Sequence, residues 1–229
     1  MSKTRLMTAA TLGVAGLMLS GCGSATPGVA VKVGDDEFST GRVDEAAAHL
    51  CTALRDDFDT GEVYSMSFVR QRVVGLLTMR SQSEQIAEEY DVEPGSVYGQ
   101  AVAQAEQVAT SKPEELRSDY VELSTAFALK QDVRDQVGRL ELEENGVAEP
   151  TVEQVSQAGE DVFKVWLDAN AFEIDPRFGL KNVDGVLTPV DTNVSVAVSD
   201  EAKAAVEAGL AIEPDPAFAE TLPPTHRCG

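Results

Sequence analysis

Three cysteines and two histidines are the residues of this chain best suited to covalent or metal chemistry. Cys22 lies near the start, Cys51 follows His49 by two positions, and Cys228 follows His226 in the same way. A thiol can accept a lipid, pair as a disulfide, or join imidazoles around a zinc ion. The sequence context indicates one chemistry for Cys22 and another for the remaining two.

Residues 1–22 have the composition of a lipoprotein export signal. Lys3 and Arg5 precede an apolar or small-residue stretch at 6–19 that is too short for a permanent membrane span. It ends in Leu-Ser-Gly-Cys22, which resembles the bacterial lipobox. We therefore expect removal of a signal peptide at 1–21 and lipidation of Cys22, with a diacylglyceryl group and palmitate. The alternative is an ordinary secretory signal whose Cys22 pairs in a disulfide.

The charge balance restricts what the mature protein can bind. Asp and Glu number 39 against 18 Lys and Arg, giving a formal net charge of −21. Such a chain repels nucleic acid and flat anionic lipid surfaces, so neither is expected as a partner. The predicted organisation is a tether at 22–29 followed by a single domain at 30–229. We expect the lipid on Cys22 to hold that domain at the extracytoplasmic face of the cell membrane.

Cys51 and Cys228 remain once Cys22 is assigned to lipid. Two leftover cysteines in an oxidising compartment usually pair, so we predict a Cys51–Cys228 disulfide. Free thiols and a metal site formed with His49 and His226 are the alternatives. If residues 49 and 51 lie on one helix they point about 200° apart, which disfavours their binding one ion.

The hydrophobic pattern predicts a mainly α protein with a small β element. Val29 to Val33 alternate like a strand, and Ser39 or Thr40 is the expected N-cap of the first helix. Past residue 171 we expect an extended segment at 172–179, a loop at 180–192, a strand at 194–198, a short helix and an irregular tail. The five predicted helices span residues 41–57, 62–90, 94–110 (with Pro94 in the first turn), 113–144 and 151–170.

The run VAVKVGDDEFSTGRVDEA at 29–46 resembles the opening of the N-terminal domain of SurA-like and PrsA-like extracytoplasmic chaperones. A long second helix, the DPRFG segment at 175–179 and the strand-then-Ser pattern at 194–199 agree with this resemblance. It implies a five-or-more-helix, SurA/trigger-factor peptide-binding-like domain. It also implies that the N-terminal strand and a C-terminal segment are brought together.

The resemblance implies a chaperone or foldase-like binder of unfolded, newly exported polypeptides. A parvulin-type isomerase domain, common in the family, has neither the room nor the histidines here, because His49 and His226 stand in the first helix and the tail. We therefore expect no enzyme activity, no catalytic residues, no bound metal and no cofactor. The alternative is an interaction or scaffold lipoprotein that docks a single folded cell-envelope partner.

Three other motifs invite a functional interpretation and favour a structural one. The acidic run at 56–62 resembles a calcium loop, but the ligand positions fail, so a solvated helix end is expected. Phe163 and Trp166 could line a peptide groove, although their helical spacing is more typical of a core. Arg177 could bind an acid, and a structural ion pair is the simpler expectation.

Overall fold

A computed structural model of the chain describes residues 27–55, 62–183 and 185–229. It shows a mainly helical domain with small antiparallel sheets. The helices are α1 (Thr40–Leu54), α2 (Met66–Glu89), α3 (Ser96–Ala109), α4 (Arg117–Ser124), α5 (Ala126–Glu144), α6 (Val152–Ala169), α7 (Asp200–Leu210) and α8 (Pro216–Thr221). The strands are β1 (Val29–Val33), β2 (Asp36–Ser39), β3 (Tyr64–Ser65), β4 (Phe172–Ile174), β5 (Leu180–Val183), β6 (Val186–Pro189) and β7 (Arg227–Cys228).

The first sheet joins the start of the chain to the residues after α6. Its strand order is β2-β1-β4, and both pairings are antiparallel. Gly34 turns the chain between β1 and β2 with φ of 56°, a left-handed conformation that favours glycine. Val31 lies opposite Ile174 and Val33 opposite Phe172, so alternate β1 side chains reach the core. The predicted strand at 29–33 is confirmed.

Helix α2 is the central element of the core. Its apolar residues pack against α1, α5 and β1 and include Val73, Val74, Leu77 and Ile86, all fully or almost fully buried. Ser65 caps the helix by accepting a hydrogen bond from the Phe68 N–H group. Helices α1, α4, α5 and α6 and strands β1, β3 and β7 are therefore arranged around this one axis.

Helices α5 and α6 approach closely because each contributes a glycine that faces the backbone of the other helix. A Cβ atom on Gly138 would collide with the carbonyl oxygen of Val155, and one on Gly159 with the carbonyl oxygen of Arg134. Thr151 begins α6 with a complete capping box, in which the Gln154 side chain bonds back to the Thr151 N–H group. The predicted helix at 151–170 is confirmed, and it ends one residue earlier, at Ala169.

Three of the predicted helix boundaries are wrong in detail. The expected helix 62–90 starts only at Met66, after the short strand β3. Helix α3 starts at Ser96, with Pro94 outside it, because the carboxylate of Asp132 accepts the Gly95 N–H group and fixes the start there. The expected helix 113–144 breaks at Thr125, whose hydroxyl donates to the Val121 carbonyl at 2.7 Å, a bond that bends helices.

The predictions for the last third of the chain are only partly correct. Within 172–179 only β4 is a strand, since residues 176–178 form a 3-10 turn. The expected loop at 180–192 contains the β5–β6 hairpin, in which Asn182 Oδ1 accepts the Gly185 N–H group at 2.9 Å. The expected strand at 194–198 is wrong, because no strand of the described residues pairs with this segment. The helix after Ser199 is confirmed as α7.

The tail at 213–229 is more regular than its proline content predicts. Asp215 caps α8 with Pro216 in its first turn, where a proline needs no N–H partner. The chain then makes a 3-10 turn and ends in β7, which pairs with β3. With α7 and α8 counted, the described residues contain more than the five predicted helices.

Candidate functional site

The end of the chain is fastened to its first helix by a disulfide. Cys51 on α1 and Cys228 on β7 are bonded, with Cα atoms 5.6 Å apart and a sequence separation of 177. Tyr64 of β3 lies opposite Cys228 in the short β3–β7 pairing, so the C-terminal residues also lie beside the start of α2. The predicted disulfide is confirmed. Because both sulfur atoms are used in this bond, they are not available as metal ligands.

The two histidines differ in their surroundings, since His49 is held by an ion-pair network and His226 is exposed. His49 Nδ1 is 2.7 Å from Oδ2 of Asp119, a buried carboxylate on α4. Arg42 Nη2 reaches the other Asp119 oxygen at 2.8 Å and Glu122 Oε2 at 2.7 Å. Burial acts to lower the pKa of Arg42, but its bonds to both carboxylates outweigh this and raise that pKa above its ordinary value. His226 lies in the 3-10 turn before β7, and the described residues form no cluster of three or more potential metal ligands.

The other residues singled out from the sequence have structural roles or lie outside the described residues. Phe163 and Trp166 are buried in the core, as their spacing indicated. Arg177 Nε pairs with Asp175 Oδ2 at 2.8 Å, which confirms the expected ion pair. The signal peptide, the lipidation site Cys22 and the acidic run at 56–61 lie outside the described residues.

A wide groove separates the start of α2 from the segment that leads into α7. Its volume is about 1010 Å³, and its walls come from α1, α2, the turn at 176–178, residues 190–199 and α7. Gln71 connects α2 to the other walls of the groove. Its Nε2 atom donates to the Phe178 carbonyl at 2.9 Å and to the Gly209 carbonyl at 3.4 Å. A second groove, of about 700 Å³, lies between residues 191–197 and α7.

Residues 194–198, which we name the valine segment, line both grooves. Val194 is fully exposed, and Val196 and Val198 are 89% and 83% exposed. In the described part of the chain, no hydrogen bond involves the backbone N–H or carbonyl groups of this segment. The segment alternates like a strand in sequence, but none of the strands at 27–55, 62–183 and 185–229 pairs with it.

Sequence reasoning found the alternation of the valine segment but missed its exposure. The signal that could have revealed it is the absence of a second β-rich run among the neighbouring residues at 199–229, which are helical or proline-rich in sequence. Three exposed valines in five residues form an apolar patch, and such patches mark interaction sites when they are contiguous. This segment and the grooves beside it are the candidate functional site.

Fold and site together define a mainly helical domain with small antiparallel sheets and an unpaired apolar segment beside two grooves. No protein-family model, curated protein or solved structure matches this chain. Among the described helices, none combines the length and the apolar character that crossing a membrane requires.

Proposed function

We propose that this chain is a lipid-anchored protein of the extracytoplasmic membrane face that binds unfolded, newly exported polypeptides. It does so on a SurA-like helical domain that lacks isomerase activity. The anchor is the lipid on Cys22, and the binding surface is the valine segment with its two grooves. The pairing of β1 with β4 and the Cys51–Cys228 bond support the SurA-like assignment, because that resemblance implies contact between the two ends of the domain.

The valine segment is the observation that carries the proposal. Its residues favour a β conformation, and its backbone groups have no partner among the described residues. An extended polypeptide that pairs with such a segment supplies the missing main-chain hydrogen bonds, which is the mode called β-strand addition. The two grooves that this segment lines offer space for alternate side chains of the added strand. Recognition through main-chain groups depends little on client sequence, which suits a binder of many clients.

The test is suppression of aggregation of a reduced, unfolded client protein, followed by light scattering at equal molar amounts. We expect the wild-type protein to suppress aggregation and Val196→Pro to lose most of this activity, because proline removes one N–H group and fits poorly in a paired strand. Val152→Ser is the matched control, since Val152 is an equally exposed valine on α6, far in sequence from the valine segment.

Three outcomes would contradict the proposal or a part of it. Equal suppression by wild type and Val196→Pro would remove the valine segment from the mechanism. No suppression across several unrelated clients, together with affinity capture of one folded envelope protein, would favour the scaffold function instead. Sedimentation of the purified protein completes the test, because a stable dimer that Val196→Pro dissolves would assign the segment to self-association.

The anchor is tested separately with Cys22→Ala in the full chain. We expect the wild-type protein to enter the detergent phase on phase separation and the variant to stay in the aqueous phase. If the two partition alike, the lipid assignment is wrong, while the aggregation experiment remains decisive for polypeptide binding.

A further inference from the structure

A smaller cavity lies between α2 and the β5–β6 hairpin, and we name it the hairpin cavity. Its volume is about 320 Å³, near the lower end of the range of about 300–1,000 Å³ typical of ligand pockets. The walls are mainly apolar and are supplied by α2, α5, α6, β4, the hairpin and the residues after α7. Val186 and Ile212 line the cavity and are 64% and 82% exposed, so the cavity is open to solvent beside them.

Most polar side chains in these walls are engaged with other parts of the protein. Gln82 Nε2 donates to the Phe163 carbonyl at 2.8 Å, and Lys130 Nζ pairs with Glu160 Oε2 at 3.0 Å. No acidic side chain lines the cavity within the described part of the chain. A polar group placed there would lose its hydration with few partners to replace the water, whereas an apolar group would gain from leaving water. The hairpin cavity therefore suits an apolar occupant.

The hairpin cavity is continuous with the two grooves beside the valine segment. Ala211 lines both the cavity and the smaller groove, and Gln71 lines both the cavity and the larger groove. More than half of the large apolar residues that are exposed in the described part of the chain line these three spaces: the three valines of the valine segment, Phe127, Val186, Leu210 and Ile212. Contiguous exposed apolar surface of this kind marks an interaction site.

We propose that the hairpin cavity is a second subsite of the polypeptide-binding surface and takes one large apolar side chain of the bound client. This inference rests on the proposed function, because the client is the polypeptide that pairs with the valine segment. Main-chain pairing alone selects little by sequence, and the cavity adds the selection. Because both subsites belong to one folded domain, their separation is fixed. The client class is therefore a β-forming segment flanked, at one fixed spacing, by a residue of the size of leucine.

The experiment measures the binding of labelled peptides to the full protein by fluorescence anisotropy. Every peptide carries the same valine-threonine strand, and a single leucine or a single serine is placed in turn at each flanking position. At one position we expect the leucine peptide to bind about tenfold more tightly than the serine peptide, which is the gain from burying one such side chain. At the other positions we expect the two peptides to bind within about twofold of each other.

Two variants assign the gain to the hairpin cavity. Gly75→Leu fills it, because the nearest atom of a neighbouring element to an added Cβ is Leu187 Cδ1 at 4.0 Å, and a longer side chain can extend into the cavity that Gly75 lines. Ile212→Ser removes apolar surface at the open side. We expect the leucine advantage to fall below about twofold in Gly75→Leu and to about threefold in Ile212→Ser.

Val152→Ser is the matched control for these variants. Val152 is 86% exposed on α6 and lines none of the three spaces, so this variant should keep the tenfold advantage of the leucine peptide. Val196→Pro serves a different purpose, because it disrupts the paired strand and should weaken the leucine and serine peptides alike.

The possible failures are distinguishable. Equal binding of the leucine and serine peptides at every position, with both lost in Val196→Pro, would overturn the hairpin cavity as a subsite and leave the proposed function standing. An unchanged leucine advantage in Gly75→Leu, with circular dichroism showing an intact fold, would place the leucine outside the cavity and also overturn the inference. If no peptide binds the wild-type protein, the proposed function and this inference fail together.

Discussion

Nδ1 of His49 lies 2.7 Å from Oδ2 of Asp119, which is 70 residues away in the sequence. His49 and Arg42 are seven residues apart and share one face of α1, and both contact the same carboxylate on α4. Cys51 lies on the same helix and is bonded to Cys228 on β7. Helix α1 is therefore held on one side by an ion-pair network and on another by the disulfide.

Replacing Asp119 with Asn tests the first of these two connections. The change keeps the shape of the side chain but removes the negative charge that both His49 and Arg42 contact. Because Asp119 is only 7% exposed, water cannot easily replace these contacts. We expect a loss of about 2 kcal/mol in the free energy of unfolding, measured by urea denaturation. Asp200→Asn is the control, because the exposed Asp200–Lys203 pair should contribute less than about 0.5 kcal/mol. Equal effects of the two variants would mean that the network does not stabilise α1.

The close packing of α5 on α6 gives the second prediction. Gly138→Ala places a methyl group against the Val155 carbonyl, which the rigid backbone of α6 cannot avoid. We expect a loss of roughly 2–3 kcal/mol from overpacking, measured as a lower urea midpoint. Gly99→Ala in α3 is the control, since no atom lies within 4 Å of the added methyl group. There the better helix propensity of alanine should add about 0.5–1 kcal/mol, and a loss of stability at Gly99 would contradict the argument.

The hydroxyl of Tyr90 gives a prediction about pH. Burial, the 2.9 Å hydrogen bond to Glu141 Oε1 and nearby acidic charges raise the pKa of Tyr90 from 10.0 to about 12. The unfolded chain therefore loses this proton at a lower pH than the folded chain. The resulting stabilisation is complete below pH 10 and is lost as the pH rises towards 12. The difference between the ultraviolet titrations of the wild-type protein and Tyr90→Phe should show the ionisation of Tyr90 near pH 12. Glu141→Gln should lower the pKa of Tyr90. A midpoint at pH 10.0 in the wild-type protein would contradict the assignment.

The parts of the fold that the sequence predicts well are those with strong local signals. The β1 strand, the Ser39 cap and the Thr151 helix start each depend on a few adjacent residues. The Cys51–Cys228 bond was predictable for another reason: once Cys22 is assigned to lipid, only two thiols remain to pair. The lipidation itself stays a prediction, because Cys22 lies outside the described residues.

The parts that sequence reasoning missed depend on partners that no local pattern reveals. The β5–β6 hairpin has strands of only four residues, too short for a clear alternation, although its Asp-Gly pair at 184–185 is a turn signal. The valine segment has the alternation but pairs with no strand in the part of the chain that the structure describes, so its pattern alone predicted a strand that does not form. The Thr78 hydroxyl, which is buried and has no hydrogen-bond partner among the described residues, is likewise a property of packing, since it depends on which side chains other elements bring near.

Removing the disulfide gives the last prediction. Cys51→Ser combined with Cys228→Ser releases a loop of 177 residues, and the chain-entropy model predicts a loss of up to about 5 kcal/mol. The two-residue pairing of β3 with β7 cannot hold the tail alone, so α8 should detach before the helical core unfolds. Limited proteolysis should then cut the double variant within 213–229 while α2 stays protected, and reductant should make the wild-type protein equally sensitive. A tail that resists cleavage in both cases would show that packing of the buried Ala219, rather than the disulfide, fixes the end of the chain.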